Sequence, residues 1–140
     1  MKIVHTFPPN YDRITEIFPS VKMQHSVIFT YGDTIYDPYP DTTREIQDHE
    51  EIHEAKHSEQ QGNDPEGWWN RYLTDRKFRT QQEVEAYHSQ YEFVKASYGK
   101  GIANGLLFLL AKHLIHPVYD TQLTYLQAEK SIKKGVIITP

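Results

Sequence analysis

The chain has 140 residues, 38% hydrophobic and 24% charged, which suits a single domain over residues 1–140 with a modest core. Its net charge of −4 and its scattered basic residues argue against nucleic-acid binding. The chain contains no cysteine, which excludes disulfides and thiolate metal sites and leaves His, Asp and Glu as possible metal ligands. We expect a cytoplasmic protein without a membrane partner, because there is no secretory-signal pattern and no apolar stretch nears the roughly 20 residues that span a bilayer.

The first third of the chain is predicted to contain strands. Residues 2–7 alternate enough for a short strand, which two prolines end. The clearest strand signal is 27–36, where β-branched and aromatic residues flank a Gly-Asp pair typical of a hairpin turn. We therefore expect a small antiparallel sheet near the N-terminus.

Helices are predicted for the rest of the chain. The first covers about residues 42–61, and Thr42 or Thr43 can cap it. Start signals, breaks and near-helical spacing of apolar residues predict four further helices. These cover about 64–73, about 75–98, 102–115 and 121–134. Strands followed by helices indicate an α+β fold.

The predicted helix 42–61 carries the sequence H-E-E-I-H at residues 49–53. His49 and His53 are four residues apart and project from one face of a helix, where one Zn²⁺ can bind an imidazole nitrogen of each. Glu50 can then take a proton from the zinc-bound water, as in metalloproteases with this motif. The alternative is a solvated, charged helix without metal, because the surrounding residues are polar.

A catalytic zinc site usually has three protein ligands and an open position for water. His57 extends the column formed by His49 and His53. At 1.5 Å per residue the column is about 12 Å long, too long for one ion to reach all three. We therefore interpret His57 as a solvated helix residue and look for the third ligand elsewhere.

Two glutamates on the predicted helix 75–98 are the candidates. Glu83 and Glu85 point roughly 200° apart at about 3.6 residues per turn, so that only one can face the metal. We favour Glu83, because the small Ala86 three residues later lets another helix approach closely. In the alternative, both glutamates are exposed partners of nearby basic residues.

These residues resemble a known pattern. The motif at 49–53 followed by E-V-E-A at 83–86 is similar to the gluzincin type of small zincin-like peptidases, H-E-x-x-H with a distant E-x-x-A. More closely, residues 27–134 resemble short zincin-like proteins encoded by tailed bacteriophages. The matching segments are T-Y-G-D-T-I-Y at 30–36, H-E-E-I-H, D-P-E-G-W-W-N-R-Y-L at 64–73, Q-E-V-E-A-Y at 82–87 and, more weakly, P-V-Y at 117–119.

The resemblance implies a minimal zincin-like fold, in which the small antiparallel sheet packs on the H-E-x-x-H helix and a helical part follows. It implies a single Zn²⁺ held by His49, His53 and Glu83. Two charged residues, Glu51 and Glu54, stand where well-studied zinc peptidases carry uncharged ones.

The implied activity is zinc-dependent hydrolysis of peptide bonds in the host cytoplasm. Glu50 would be the general base. Candidate donors to the oxyanion are Tyr87, one turn after Glu83, and the adjacent His88; Tyr72 is a weaker candidate. The substrate would be a phage or host protein or peptide. The alternative is a non-catalytic structural or interaction protein of the phage, associated with the virion, in which zinc only holds two helices together.

Overall fold

The computed structural model describes residues 1–41 and 45–139, and contacts divide them into two compact units. The first unit ends at Thr74 and the second begins at Asp75. The described residues form three short strands near the N-terminus, six α-helices and a short 3-10 helix. The predicted α+β class is therefore confirmed.

The three strands of the first unit form one sheet in the order β1-β3-β2. They are β1 (Lys2–Val4), β2 (Phe29–Tyr31) and β3 (Thr34–Tyr36). β2 and β3 are antiparallel and joined by a two-residue turn, which confirms the predicted hairpin. Gly32 begins this turn with a φ of +64°, a conformation that glycine adopts without steric cost.

β1 runs parallel to β3, so the prediction of an entirely antiparallel sheet is wrong and the sheet is mixed. The reason is the long connection that follows β1, which contains α1 (Tyr11–Ile17) and a 3-10 helix (Pro19–Met23). This connection brings the chain back at the far edge of the sheet. The hairpin then turns β3 into the centre, where it runs in the same direction as β1.

The motif helix, α2 (Asp48–Gln61), begins later than predicted. Residues 45–47 precede it without helical structure, and the predicted caps Thr42 and Thr43 lie outside the described residues. Three acidic residues occupy the first turn of α2, where the positive end of the helix dipole favours them. Gly62, with a φ of +56°, ends the helix.

The sheet packs on α2, as predicted, through polar side chains that bond to β2. Gln61 at the end of α2 donates from Nε2 to the carbonyl of Thr30 at 2.8 Å and accepts from the backbone N–H of Gly32 at 2.7 Å. The indole of Trp69, on α3 (Pro65–Thr74), donates to the same Thr30 carbonyl at 2.9 Å. These bonds tie strand, motif helix and following helix together within the first unit.

The second unit consists of three helices that pack around an apolar core. They are α4 (Arg76–Tyr98), α5 (Lys100–Leu114) and α6 (Tyr125–Lys134). The carboxylate of Asp75 caps α4 by accepting from the Phe78 N–H at 3.0 Å. Among residues 1–41 and 45–139, no helix combines the length and apolar character needed to cross a bilayer.

Candidate metal centre

One face of α2 is buried although its side chains are polar. His53, Glu54, His57 and Gln61 have relative exposures of 7%, 8%, 6% and 3%. Burying such groups costs free energy unless they find hydrogen-bond or metal partners. The polar face is therefore the part of the first unit where a functional site is expected.

Three of these buried residues belong to a second H-E-x-x-H sequence, H-E-A-K-H at residues 53–57, which shares His53 with the motif at 49–53. The repetition H-E-x-x-H-E-x-x-H is visible in the sequence, but only its first motif was predicted to bind metal. In the structure, both histidines and the glutamate of the second motif are buried, whereas His49 and Glu50 are partly exposed in the first turn of α2.

The interpretation of His57 as a solvated residue is wrong. Its ring is buried and lies 4.8 Å, centroid to centroid, from the ring of His53 at an interplanar angle of 83°. A ligand nitrogen of each histidine lies within 4.8 Å of the other. Since a zinc ion binds imidazole nitrogens at about 2.0–2.1 Å, this separation is close to what one ion spans.

His53 and His57 could bind a metal ion together, since each offers one ligand atom and both are buried. Glu83, in the second unit, is also buried and offers a carboxylate oxygen. Two imidazoles and one carboxylate are a donor set that suits Zn²⁺. His53 and Glu83 are two of the predicted ligands; His57 was not predicted as a ligand, and the predicted ligand His49 is partly exposed.

The two glutamates of α4 differ in their surroundings within the second unit. Glu83 is 2% exposed, so the alternative in which both glutamates are exposed does not hold for it. Ala86, three residues on, is fully buried. Glu85 is partly exposed and accepts from the side-chain amide of Gln81 at 3.0 Å. Of the two candidates, Glu83 therefore has the environment of a metal ligand.

Tyr87, the candidate donor to an oxyanion, belongs to the apolar core of the second unit. Its ring is 5% exposed, and its hydroxyl lies 3.0 Å from the hydroxyl of Tyr119. A buried phenol with a hydrogen-bond partner is also common in ordinary cores. Its role as an oxyanion donor stays a prediction.

Glu54 occupies in the second motif the position that Glu50 has in the first. The hydroxyl of Thr30, on β2, donates to Oε2 of Glu54 at 2.7 Å. This short, charge-assisted bond holds the carboxylate on the buried side of α2, next to His53 in the chain. Relative to the first motif, Glu54 is one of the charged residues that well-studied zinc peptidases lack. In the second motif, the same residue is the glutamate of H-E-x-x-H.

Replacing Thr30 with valine removes this hydroxyl and keeps the side-chain shape. Because Glu54 is buried, we expect the free energy of unfolding to fall by about 1–3 kcal/mol. Urea unfolding followed by tryptophan fluorescence measures the change in the first unit, which contains both tryptophans of the chain. Thr30→Ser retains the hydroxyl and serves as the control; equal losses in the two variants would contradict the importance of the hydrogen bond.

Comparisons with known proteins add no relative. No protein-family model, no curated protein and no solved structure matches this chain. The function is therefore inferred from the donor set, the burial and the hydrogen bonds of the residues described above.

Proposed function

We propose that this chain is a zinc-dependent metallopeptidase with His53, His57 and Glu83 as metal ligands and Glu54 as general base. One observation carries the proposal. The second H-E-x-x-H motif has all three functional side chains buried, and its two histidines offer ligand atoms within 4.8 Å of each other. A solvated, charged helix would not bury them, because uncompensated polar groups are costly inside a protein.

The donor set defines the chemistry. Zinc bound there would lower the pKa of a water toward 7 and polarise the carbonyl of a peptide bond. Glu54 accepts a proton from the attacking water and returns it to the leaving amine. Because the Thr30 hydroxyl holds Oε2 of Glu54, we assign the proton transfer to Oε1. Tyr87 remains the proposed donor to the oxyanion.

His49 and Glu50 then have no direct part in the metal site. They precede the second motif by one helical turn and occupy the more exposed start of α2. Helix geometry agrees with this, because one ion can bind two histidines that are four residues apart but cannot reach all three histidines of the column. We further propose that the substrate is a phage or host protein in the host cytoplasm, as the resemblance to phage-encoded zincin-like proteins implies.

A non-catalytic protein with a structural zinc is the second candidate. The observation that favours it is the burial of all three ligands, each at most 7% exposed, because a catalytic zinc needs an open position for water. Such a protein would act as a structural or interaction component of the phage. It would bind the metal as tightly and would hydrolyse nothing.

The two candidates are distinguished by metal content and turnover together. We expect one zinc per chain by elemental analysis, and cleavage of a mixed peptide library detected by mass spectrometry. A chelator such as 1,10-phenanthroline should abolish the cleavage, and added Zn²⁺ should restore it. Zinc without cleavage of any peptide or candidate phage protein would support the structural role. A protein that binds no divalent ion would contradict both candidates.

A further inference from the structure

A hydrogen bond on α2 has a consequence for the orientation of His57. Nδ1 of its ring lies 2.9 Å from Oε1 of Gln60, three residues later on the same helix. Residues at this spacing are neighbours on a helix surface. The side-chain oxygen of glutamine is an acceptor only, so the ring nitrogen that faces it carries the proton. The bond therefore selects the tautomer of neutral His57 that is protonated on Nδ1.

In that tautomer the other ring nitrogen, Nε2, is unprotonated and is the atom whose lone pair can bind a metal. Histidines that bind metals usually donate their second ring N–H to a carboxylate, a carbonyl or a water, which orients the ring. We propose that Gln60 is the positioning residue for His57, holding it so that Nε2 is the metal-binding atom. This inference rests on the metal site of the proposed function but does not require peptide hydrolysis.

The end of α2 is well suited to this role because the residue after Gln60 is anchored to the hairpin. The next residue, Gln61, is 3% exposed, and its amide bonds to two backbone groups of the hairpin. Gly62 ends the helix immediately afterwards. Gln60 therefore projects from the last turn of a helix whose end is bonded to the hairpin.

The amide also differs from the usual carboxylate partner in its charge. A carboxylate beside a ligand histidine raises the basicity of that ligand, whereas a neutral amide orients the ring with a smaller electronic effect. Gln60→Glu should therefore preserve or strengthen metal binding, because it keeps an acceptor at the same reach. Gln60→Leu keeps the size of the side chain and removes the acceptor.

The test measures zinc affinity on metal-free protein by competition with a chromophoric chelator. Gln60→Leu should weaken the affinity about 10–100-fold, and Gln60→Glu should stay within about threefold of the wild type or bind more tightly. The matched control is Glu59→Gln, an exposed position on the same turn whose carboxylate pairs with Lys56 at 3.2 Å. It should leave the affinity unchanged.

A second readout does not depend on the metal. Nitrogen-15 NMR of histidine-labelled, metal-free protein reports the tautomer directly, and His57 should be protonated on Nδ1 in the wild type and in Gln60→Glu. Gln60→Leu should show a mixture. An Nε2-protonated His57 in the wild type, or wild-type zinc affinity in Gln60→Leu, would overturn the inference.

The outcomes also separate this inference from the proposed function. Zinc binding that depends on Gln60, in a protein that cleaves no peptide, would leave the positioning role intact and refute the peptidase alone. A wild-type protein that binds no zinc would overturn both. If Gln60→Leu does not fold, the inference is tested by the tautomer of wild-type His57 and by the zinc affinity of Gln60→Glu.

Discussion

Glu54→Gln should abolish peptide hydrolysis and leave one zinc bound per chain. Loss of the general base removes proton transfer from the attacking water, a contribution of about 10²–10⁴-fold in kcat. Glutamine has nearly the same shape, and its side-chain oxygen can still accept from the Thr30 hydroxyl, so that the fold should persist. The measurement is turnover of a peptide identified in the library screen, at saturating zinc, together with metal content.

Glu50→Gln is the matched control, since it makes the same change at the same position of the overlapping motif. We expect its turnover to equal that of the wild type. If Glu50→Gln lost activity and Glu54→Gln kept it, the first motif would be catalytic and the assignment to the second motif would be wrong. Loss of activity in both variants would mean that two carboxylates contribute to the reaction.

His57→Ala should weaken zinc binding by more than about 100-fold, because removing a ligand costs more than the 10–100-fold typical of its outer hydrogen-bond partners. His49→Ala should bind zinc like the wild type. Both variants are measured by chelator competition. Tryptophan fluorescence gives a second signal in the wild type, because the His57 ring lies 5.4 Å from the ring of Trp68 and metal binding changes its surroundings.

The glutamates of α4 provide a matched pair for the same measurement. Glu83→Gln should lower the zinc affinity, whereas Glu85→Gln should not, because only Glu83 is buried and Glu85 bonds to Gln81. A His49→Ala variant that lost zinc while His57→Ala retained it would refute the ligand set proposed here. It would favour the set His49, His53 and Glu83 that the sequence first indicated.

Local signals in the sequence were sufficient for much of the fold. The Gly32-Asp33 turn, proline at the start of α3 and the break at Asp75 each depend on the conformational preferences of a few adjacent residues. Such preferences act without the rest of the chain. They located the hairpin and separated α3 from α4.

The direction of β1 and the start of α2 were not determined by local signals. A strand of three residues carries no mark of its partner, so β1 could be antiparallel or parallel to β3 until the long connection placed it. The sequence before Asp48 also contains helix-starting residues at Thr42 and Thr43. The acidic first turn of α2 was a second, equally local start signal.

The sequence by itself predicted that α2 carries an H-E-x-x-H motif suited to binding a metal and that a distant glutamate would be the third ligand. It could not choose between the motifs at 49–53 and 53–57, because the two have the same spacing on the same helix. The tertiary structure distinguishes them by burial. Glu54 and Gln61 bond to β2, more than twenty residues earlier in the chain, and so the second motif faces the interior. Only packing between distant segments decides which polar side chains leave water.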